Sequence, residues 1–367
     1  MKSDVLGVRE RNRALLARQL LLTRDDQGPL DAVGQLVGMQ AQAPQAPYVG
    51  LWSRLTDFDP HELSKLLTER QVVRIGVMRG TVHLVTSDDC LLLRPWLQPI
   101  YDRTLTANPA YRKAIDGVNE EVVDAARELI DETPRTNAEL RAFLASRWPD
   151  RDAAALVWGL RALLPCVQVP PRGLWGASGQ ATVTTAPAWL GRPLATDPSP
   201  SPLVLRYLAA YGPASVQDMQ TWCGLTRLGP HFEELRPSLR VFRSESGAEL
   251  FDLPDAPRPS AETPAPVRFL PEYDNLLRSH QERTHVMSSD ARTRLATKND
   301  SPRPTLLVDG LLAGGWRLDG TRKTATLTID PFVPLSAAAQ SDVTAEAERL
   351  LGFAAPDRTY DIRLAAS

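Results

Sequence analysis

No run of about 18 apolar residues occurs in the 367-residue sequence, which excludes the helical membrane span such a run would build. Cysteine is scarce. Cys90, Cys166 and Cys223 lie far apart, so no close pair of thiolate ligands exists, and an odd number of thiols reads as free and buried. The five histidines form no HxxxH or HExxH pattern, so metal chemistry is not expected. The familiar catalytic loops are missing too: no GxSxG elbow, no GxxxxGK[ST] phosphate loop, no GxGxxG at a strand–helix junction. Gly310, Gly314, Gly315 and Gly320 fall among strands. The opening MKSDVLGVRERNRALLARQLLL is too charged for a secretory signal, and a cytoplasmic, nucleoid-associated protein is expected.

What is present is an ordinary globular composition, 43% hydrophobic and 23% charged. The formal net charge of −2 argues against a strongly nucleic-acid-binding chain. The charge is uneven, however. Arg9, Arg11, Arg13, Arg18 and Arg24 crowd the start. Arg278, Arg283, Arg292, Arg294, Lys298 and Arg303 crowd 278–303, and Arg317, Arg322 and Lys323 follow. Each run alone reads as a solvated helix face; together they leave a one-sided basic surface open.

Periodicity lays out an α+β chain in which a few helices followed by a β-hairpin recur three times, without residue-level repetition. In the first unit, helices are expected near 8–23, from Leu30 through Met39, near 49–55 and near 60–70. Strands at 72–77 and 82–85 then flank Arg79-Gly80. Helices near 90–132 lead to a second unit. There Thr136 and Glu139 form a capping box, a helix covers 151–164, and strands at 166–169 and 181–185 follow. The third unit has helices at 202–211, from Ser215 through Trp222 and at 228–236, then a hairpin around Ser246-Gly247. After the Pro-rich 254–266 come a strand at 267–270 and strands near 305–309, 311–318 and 324–329 with turns at Asp309-Gly310 and Asp319-Gly320. A helix at 336–352 and a strand at 360–364 finish the chain. The expected units are 1–90, 91–195 and 196–260, with a C-terminal β-hairpin region at 261–367.

Helix-turn-helix followed by a β-wing is a common DNA-binding arrangement, though winged helices also serve as protein-interaction modules. Three in one chain are unusual for a regulator. Stacked, they form a curved surface able to hold a duplex. A winged-helix regulator or drug-sequestering protein without catalysis stands as the alternative, and a metal-dependent nuclease as a further one.

Several blocks carry a family resemblance. Gly38-Met39-Gln40-Ala41-Gln42-Ala43-Pro44 runs into Tyr48-Val49-Gly50-Leu51-Trp52-Ser53-Arg54-Leu55. Met78 to Val85, Tyr207 to Ser215 with Asp218 and Trp222, Leu270 to Asn275, and Val308 to Trp316 follow in order. This pattern resembles the AlkZ-type winged-helix DNA glycosylases across nearly the whole chain. The resemblance implies three tandem winged-helix motifs in a C-shaped arrangement that binds double-stranded DNA as a monomer, without cofactor, metal or membrane. It also implies excision of alkylated purines. In one branch it implies unhooking of interstrand crosslinks made by bis-alkylating antibiotics such as azinomycin B. That branch carries Gln-apolar-Gln, so Gln40 and Gln42 are the implied catalytic pair.

Two amides make chemical sense for such a substrate. A purine alkylated at N7 or N3 is cationic, and its glycosidic bond is already weakened. Placing a water at C1′ is then the remaining task, and a carbonyl with an NH2 group can hold one. Alternation in extended backbone would turn both amides to one side. Around them, Arg79 is placed either to touch phosphate or to cap its hairpin. Asp274 reads as site support, paired with an arginine or orienting water. His280, Arg283, Arg317, Arg322 and Lys323 are the candidate DNA contacts. His83, Trp316, Tyr48 and Trp52 read as core residues.

Overall fold

The computed structural model describes residues 4–107, 118–196, 199–295 and 303–365. Lys298 and residues 108–117 of the expected connecting helices lie outside them. No helix among the described residues is long and apolar enough to cross a membrane.

The first helix, Val8–Arg18, is shorter than its apolar pattern predicts. It opens with Glu10 accepting from the Gly7 amide at 2.8 Å and ends where Leu20 turns to φ 57°. The arginines on it and just after it are each paired with an acid, and Arg9 alone among them stays nearly half exposed. Arg18 is fully buried and meets the buried Asp252 at 2.6 and 2.9 Å. Arg11 pairs with Glu282 at 3.0 Å, Arg9 with Asp309 at 2.7 Å and Arg24 with Glu346 at 2.6 Å, and Arg13 also reaches Asp309. A buried guanidinium without a counter-charge costs several kcal/mol, so these charges serve as ties to distant parts of the chain.

The second helix also stops early. It covers Pro29–Gln35, because Val37 (φ 53°) and Gly38 (φ 88°) are both left-handed. A Cβ at Gly38 would stand 2.7 Å from Val85 Cγ1 and 3.0 Å from the Leu84 carbonyl oxygen, so only glycine admits this approach. Met39 and Gln40, expected at a helix end, are therefore a short strand paired antiparallel with Leu84 and His83.

That strand edges a six-stranded sheet. Its order is Met39–Gln40, Val82–Thr86, Val72–Gly76, Cys166–Val169, Thr182–Thr185, Arg135–Thr136. Arg74 pairs with Gln168 and Ile75 with Val167, so the hairpins of the first and second units are one sheet. Arg240–Ser244 and Glu249–Asp252 form the third hairpin, joined in parallel by Val5–Leu6. The capping boxes at Thr136 and Ser215 both form.

A five-stranded sheet ends the fold, in the order Arg268–Leu270, Thr305–Val308, Leu311–Gly320, Thr324–Pro331, Thr359–Leu364. Asp309 (φ 46°) and Gly310 (φ 77°) turn between paired Val308 and Leu311, the positive-φ pair that Asp-Gly supplies. The next turn lies beyond the expected Asp319-Gly320. Gly320 still pairs with Ala325, and Thr321–Lys323 make the tip. The helix Ala337–Ala354 packs on this sheet.

The cores cut across the expected ranges. Met39, Tyr48, Trp52 and Leu84 share a core with Phe269, Trp316, Leu327 and Leu350 of the C-terminal region. Val73, Ile75 and Val85 share another with Tyr207, Trp222 and Phe251 of the third unit. Helical residues Val122 to Leu164 form a separate small core. The N-terminal strands are thus held between two other parts of the chain.

Candidate active site

Four contacts fix the backbone from Gly38 to Ala41. The Gln40–His83 pairing begins the ladder, and the Ala41 amide continues it to the Val82 carbonyl at 2.8 Å. Arg74 Nη2 donates to the Ala41 carbonyl at 2.9 Å. From below, Asn275 Nδ2 donates to the Gly38 carbonyl at 2.9 Å.

The two amides, expected as an equivalent pair, occupy different environments. Gln40 is 6% exposed, and its Oε1 accepts from Arg79 Nη2 at 2.9 Å. Gln42 is exposed, and its Oε1 accepts a longer bond of 3.3 Å from the Val82 amide. Arg79 sits left-handed (φ 57°) between the strands of its hairpin. Its other terminal nitrogen donates to the Trp222 carbonyl of the third unit. Burial first, then nearby Arg278, pushes the Arg79 guanidinium down to about 10, so it remains charged at neutral pH. Beside the two roles expected of Arg79, a phosphate contact or a hairpin cap, the geometry gives it a third, a tie between Gln40 and the Trp222 carbonyl.

Beneath Gln40, Arg54 and Asp274 form a bidentate pair at 2.9 and 2.9 Å, both buried. Asp274 also accepts from the Leu276 amide at 3.0 Å, and Arg54 donates to the Gly50 carbonyl at 3.0 Å. Gln19, Gln40, Arg54, Asp274 and Asn275 line one small cavity together with Leu36, Met39, Pro47 and Pro271. A carboxylate bound this way is committed to bracing the wall behind Gln40.

Among the candidate DNA contacts, His280 requires correction. It is 1% exposed, with Nδ1 against Ser279 Oγ at 2.9 Å and Nε2 against the Tyr211 carbonyl at 3.1 Å. Burial pushes its imidazole down to about 4, Asp218 opposing. A neutral interior ring has no surface to offer a phosphate. Arg283 is half-buried and donates to the Leu277 carbonyl at 2.9 Å. Arg322 and Lys323 are exposed at the tip of the C-terminal hairpin, and Arg317 beside them pairs with Asp319 at 2.7 Å. That hairpin lies on a different sheet from the glutamines.

His83 and Trp316 are core residues. Burial pushes His83 down to about 3, and Trp316 Nε1 donates to the Leu270 and Thr305 carbonyls at 3.0 and 3.1 Å. Tyr48 donates to the Gly173 carbonyl at 2.7 Å, and Trp52 stacks on Phe353. Sequence reasoning missed Arg54, Arg74 and Asn275. The available hint was a charged Arg54 set inside the apolar block Val49 to Leu55. Among the described residues, no three metal-binding side chains come together.

Comparison with known proteins bears on this arrangement. A family model described as DNA glycosylase AlkZ-like matches residues 33–353, from the helix before the glutamines to the end of the last helix. An interstrand DNA cross-link repair glycosylase of Streptomyces sahachiroi is 23% identical over 333 residues, 83% of this chain and 85% of that protein. The solved structure of the Streptomyces sahachiroi DNA glycosylase AlkZ matches with a TM-score of 0.79 at 19% identity, covering 98% of this chain and 100% of that one. Fold is thus kept where most side chains have changed. With the family match running through the Gln40 strand, the Arg79 turn and the Asp274 brace, this chain belongs to the AlkZ-like DNA glycosylase family.

Proposed function

We propose that the chain is a monofunctional, metal-independent glycosylase that hydrolyses the N-glycosidic bond of cationic N7- or N3-alkylated purines, with Gln40 and Gln42 as the catalytic residues. The observation that carries this reading is the orientation of the Gln40 amide. Arginine has only donors, so the atom facing Arg79 is the carbonyl oxygen, and the NH2 group is turned the other way. Beside it the exposed Gln42 supplies a second amide. Together they hold a water through NH2 donors and the remaining carbonyl lone pairs.

The reaction then needs little acid–base help. The water oxygen bonds to C1′ as the C1′–N9 bond breaks. The electron pair of that bond passes to the purine and cancels its positive charge, and the water proton is lost to solvent. A neutral amide is a poor general base, so the pair serves only substrates that arrive activated. The name of the Streptomyces sahachiroi relative supports extending the substrate to interstrand crosslinks; extending it to those of bis-alkylating antibiotics rests on the Gln-apolar-Gln resemblance alone.

Three tandem winged-helix motifs in a C-shape would hold the duplex, with the chain acting as a monomer in the cytoplasm. The capped helices at Thr136 and Ser215, each followed by a hairpin, support this assignment. Arg322 and Lys323, with Arg317, would meet the phosphate backbone from the C-terminal hairpin. Half-buried Arg283 is a weaker contact.

The test is product formation on an alkylated duplex, read as strand cleavage at abasic sites after heating in base. Gln40→Ala and Gln42→Ala are expected to lose product while still binding the duplex. Full activity in both would overturn the assignment.

A further inference from the structure

Each glutamine has its own arginine, and the two act on different atoms. Arg79 reaches the side chain of Gln40. Arg74, on the strand Val72–Gly76, reaches backbone instead, where its Nη2 donates to the Ala41 carbonyl at 2.9 Å. That oxygen belongs to the peptide plane joining Ala41 to Gln42. A peptide plane is rigid, so holding its oxygen constrains the direction in which the Gln42 side chain leaves the backbone. Gln42 has little else to hold it. Its side chain is exposed and makes one hydrogen bond among the described residues, the 3.3 Å bond from the Val82 amide.

Stability does not account for Arg74. It is 2% exposed, is in no ion pair among the described residues, and its Nε and Nη1 have no hydrogen-bond partner. Burial first, then nearby Arg172, pushes its guanidinium down to about 10, which leaves it charged at neutral pH. A buried charge with two idle donors costs stability that an apolar side chain of similar length would not. What the charge supplies is a strong, directed donor for one oxygen between the glutamines.

The loop of the second hairpin seats this arginine. Residues 170–181, between Cys166–Val169 and Thr182–Thr185, lie against Arg74 and against the helix that follows the glutamines. Gly173 is buried at φ 99°, and a Cβ there would stand 2.8 Å from Arg74 Cδ and 3.3 Å from its Nη1. Tyr48 Oη donates to the Gly173 carbonyl at 2.7 Å. Gln45 clasps the loop in both directions: its Nε2 donates to the Leu174 carbonyl at 2.9 Å, and its Oε1 accepts from the Gly176 amide at 3.2 Å. The Trp175 amide donates to Ser64 Oγ at 2.9 Å, and its ring packs 5.0 Å from that of Tyr48. The base of this loop is thus committed to the wall of the glutamine site.

We infer that Arg74 and Gly173 are positioning residues for the reaction: Arg74 sets the Ala41–Gln42 peptide so that the Gln42 amide meets the same water as Gln40, and the loop of the second hairpin sets Arg74 through Gly173. The inference rests on the glycosylase reading above, in which Gln42 is catalytic. Neither Arg74 nor Gly173 touches the substrate. Through them the second hairpin is a working part of the glutamine site, and a change in its loop is felt as a change in rate.

The experiment measures three quantities on each variant: the rate of base release from a saturating N7-methylguanine duplex, the Kd for that duplex, and the urea midpoint. Arg74→Met is expected to slow release roughly ten- to a hundredfold, as a small misplacement of a reacting group does. Its Kd should be unchanged and its midpoint no lower than that of the wild type. Arg74→Lys keeps a donor for the Ala41 carbonyl and should recover part of the rate. A midpoint that falls in step with the rate in Arg74→Met makes Arg74 a structural brace and overturns the positioning role. Gly173→Ala should also slow release. Because it acts through Arg74, adding it to Arg74→Met should slow release no further, and losses that multiply overturn the link to the loop. If Gly173→Ala does not fold, Tyr48→Phe tests the same link by freeing the Gly173 carbonyl without adding an atom, and a wild-type rate there overturns it. Gln42→Ala separates this inference from the reading beneath it. Inactive Gln42→Ala beside fully active Arg74→Met would sink the inference alone. Fully active Gln42→Ala would sink the catalytic role of Gln42 and the inference with it.

Discussion

Arg54 and Asp274 are 220 positions apart in sequence and meet as a bidentate pair, each hydrogen bond 2.9 Å, directly behind Gln40. The pair ties the helix Ala46–Trp52 and its following turn to the loop after Arg268–Leu270, and so fixes the floor under the Gln40 strand. Asp274→Ala would leave a buried guanidinium without its partner. The expected loss is about 3–5 kcal/mol of stability, read as a lower urea midpoint with an unchanged slope. An unaltered midpoint would show that the pair is not part of the structure's support.

Arg79 has a different expected signature. Hydrogen bonds to charged groups contribute about 1.5–3 kcal/mol, and a tenfold rate change corresponds to about 1.4 kcal/mol. Arg79→Ala should therefore lower kcat by roughly ten- to a hundredfold while stability changes less than in Asp274→Ala. Arg79→Lys can reach only one of the two oxygens that Arg79 now bridges, and should recover part of the rate. A Kd that rises with kcat unchanged would assign Arg79 to phosphate binding instead.

These two residues also show what a sequence can and cannot reveal. Gln40-Ala41-Gln42 is legible as a local string, and Asp309-Gly310 as a turn, because the chemistry of each lies within a few residues. The Arg79–Gln40 bond spans 39 positions and exists only once the hairpin has formed. The early arginines mislead for the same reason. Their acidic partners lie as far as 322 positions away, so a solvated basic face and a buried tie look alike in the sequence. Helix propensity carries the expected second helix through Met39, but packing of Gly38 against Val85 overrides it and turns the glutamine strand toward His83. His280 looks basic beside Arg278 and Arg283, and only tertiary burial makes it a neutral core ring.

That burial sets a pH dependence. His83 and His280 are pushed down to about 3 and about 4, and His285 well below the usual imidazole range. In the unfolded chain the same groups titrate near ~6.5. Between these values the unfolded chain takes up protons that the folded chain refuses. Stability is thus complete above about pH 6.5 and falls as the pH drops toward 4, by about 1 kcal/mol per imidazole per pH unit. Urea midpoints at pH 7 and pH 5 check this, and equal values would contradict it. Turnover should behave otherwise. Neither glutamine titrates, so kcat should be flat from about pH 6 to about pH 9, with no step of a catalytic histidine.

For DNA binding, the tip of the C-terminal hairpin and the first helix make opposite predictions. Replacing both Arg322 and Lys323 by Ala should leave stability unchanged and weaken binding of damaged and undamaged duplex alike. The slope of log affinity against log salt should become shallower by about 1 for each phosphate that the variant no longer neutralises. Arg18→Ala should lower the urea midpoint instead, because Arg18 is bound to Asp252 in the interior. If the Arg322 and Lys323 double variant keeps the wild-type salt slope, the hairpin does not touch the backbone.

The charge of the lesion provides the most direct test of the amide pair. Two neutral side chains leave the departing purine to supply its own activation, and an N7-alkylated guanine does so by leaving as a neutral base. Uracil in DNA carries no such charge and would have to leave as an anion. With matched duplexes, N7-methylguanine is expected to be released at least a hundredfold faster than uracil, equally with and without EDTA. Comparable rates on the two bases would require a true general acid or base near C1′, and Gln40 and Gln42 could not then be the whole of the catalytic apparatus. Activity abolished by EDTA and restored by a divalent ion would replace the amide mechanism with metal-assisted hydrolysis.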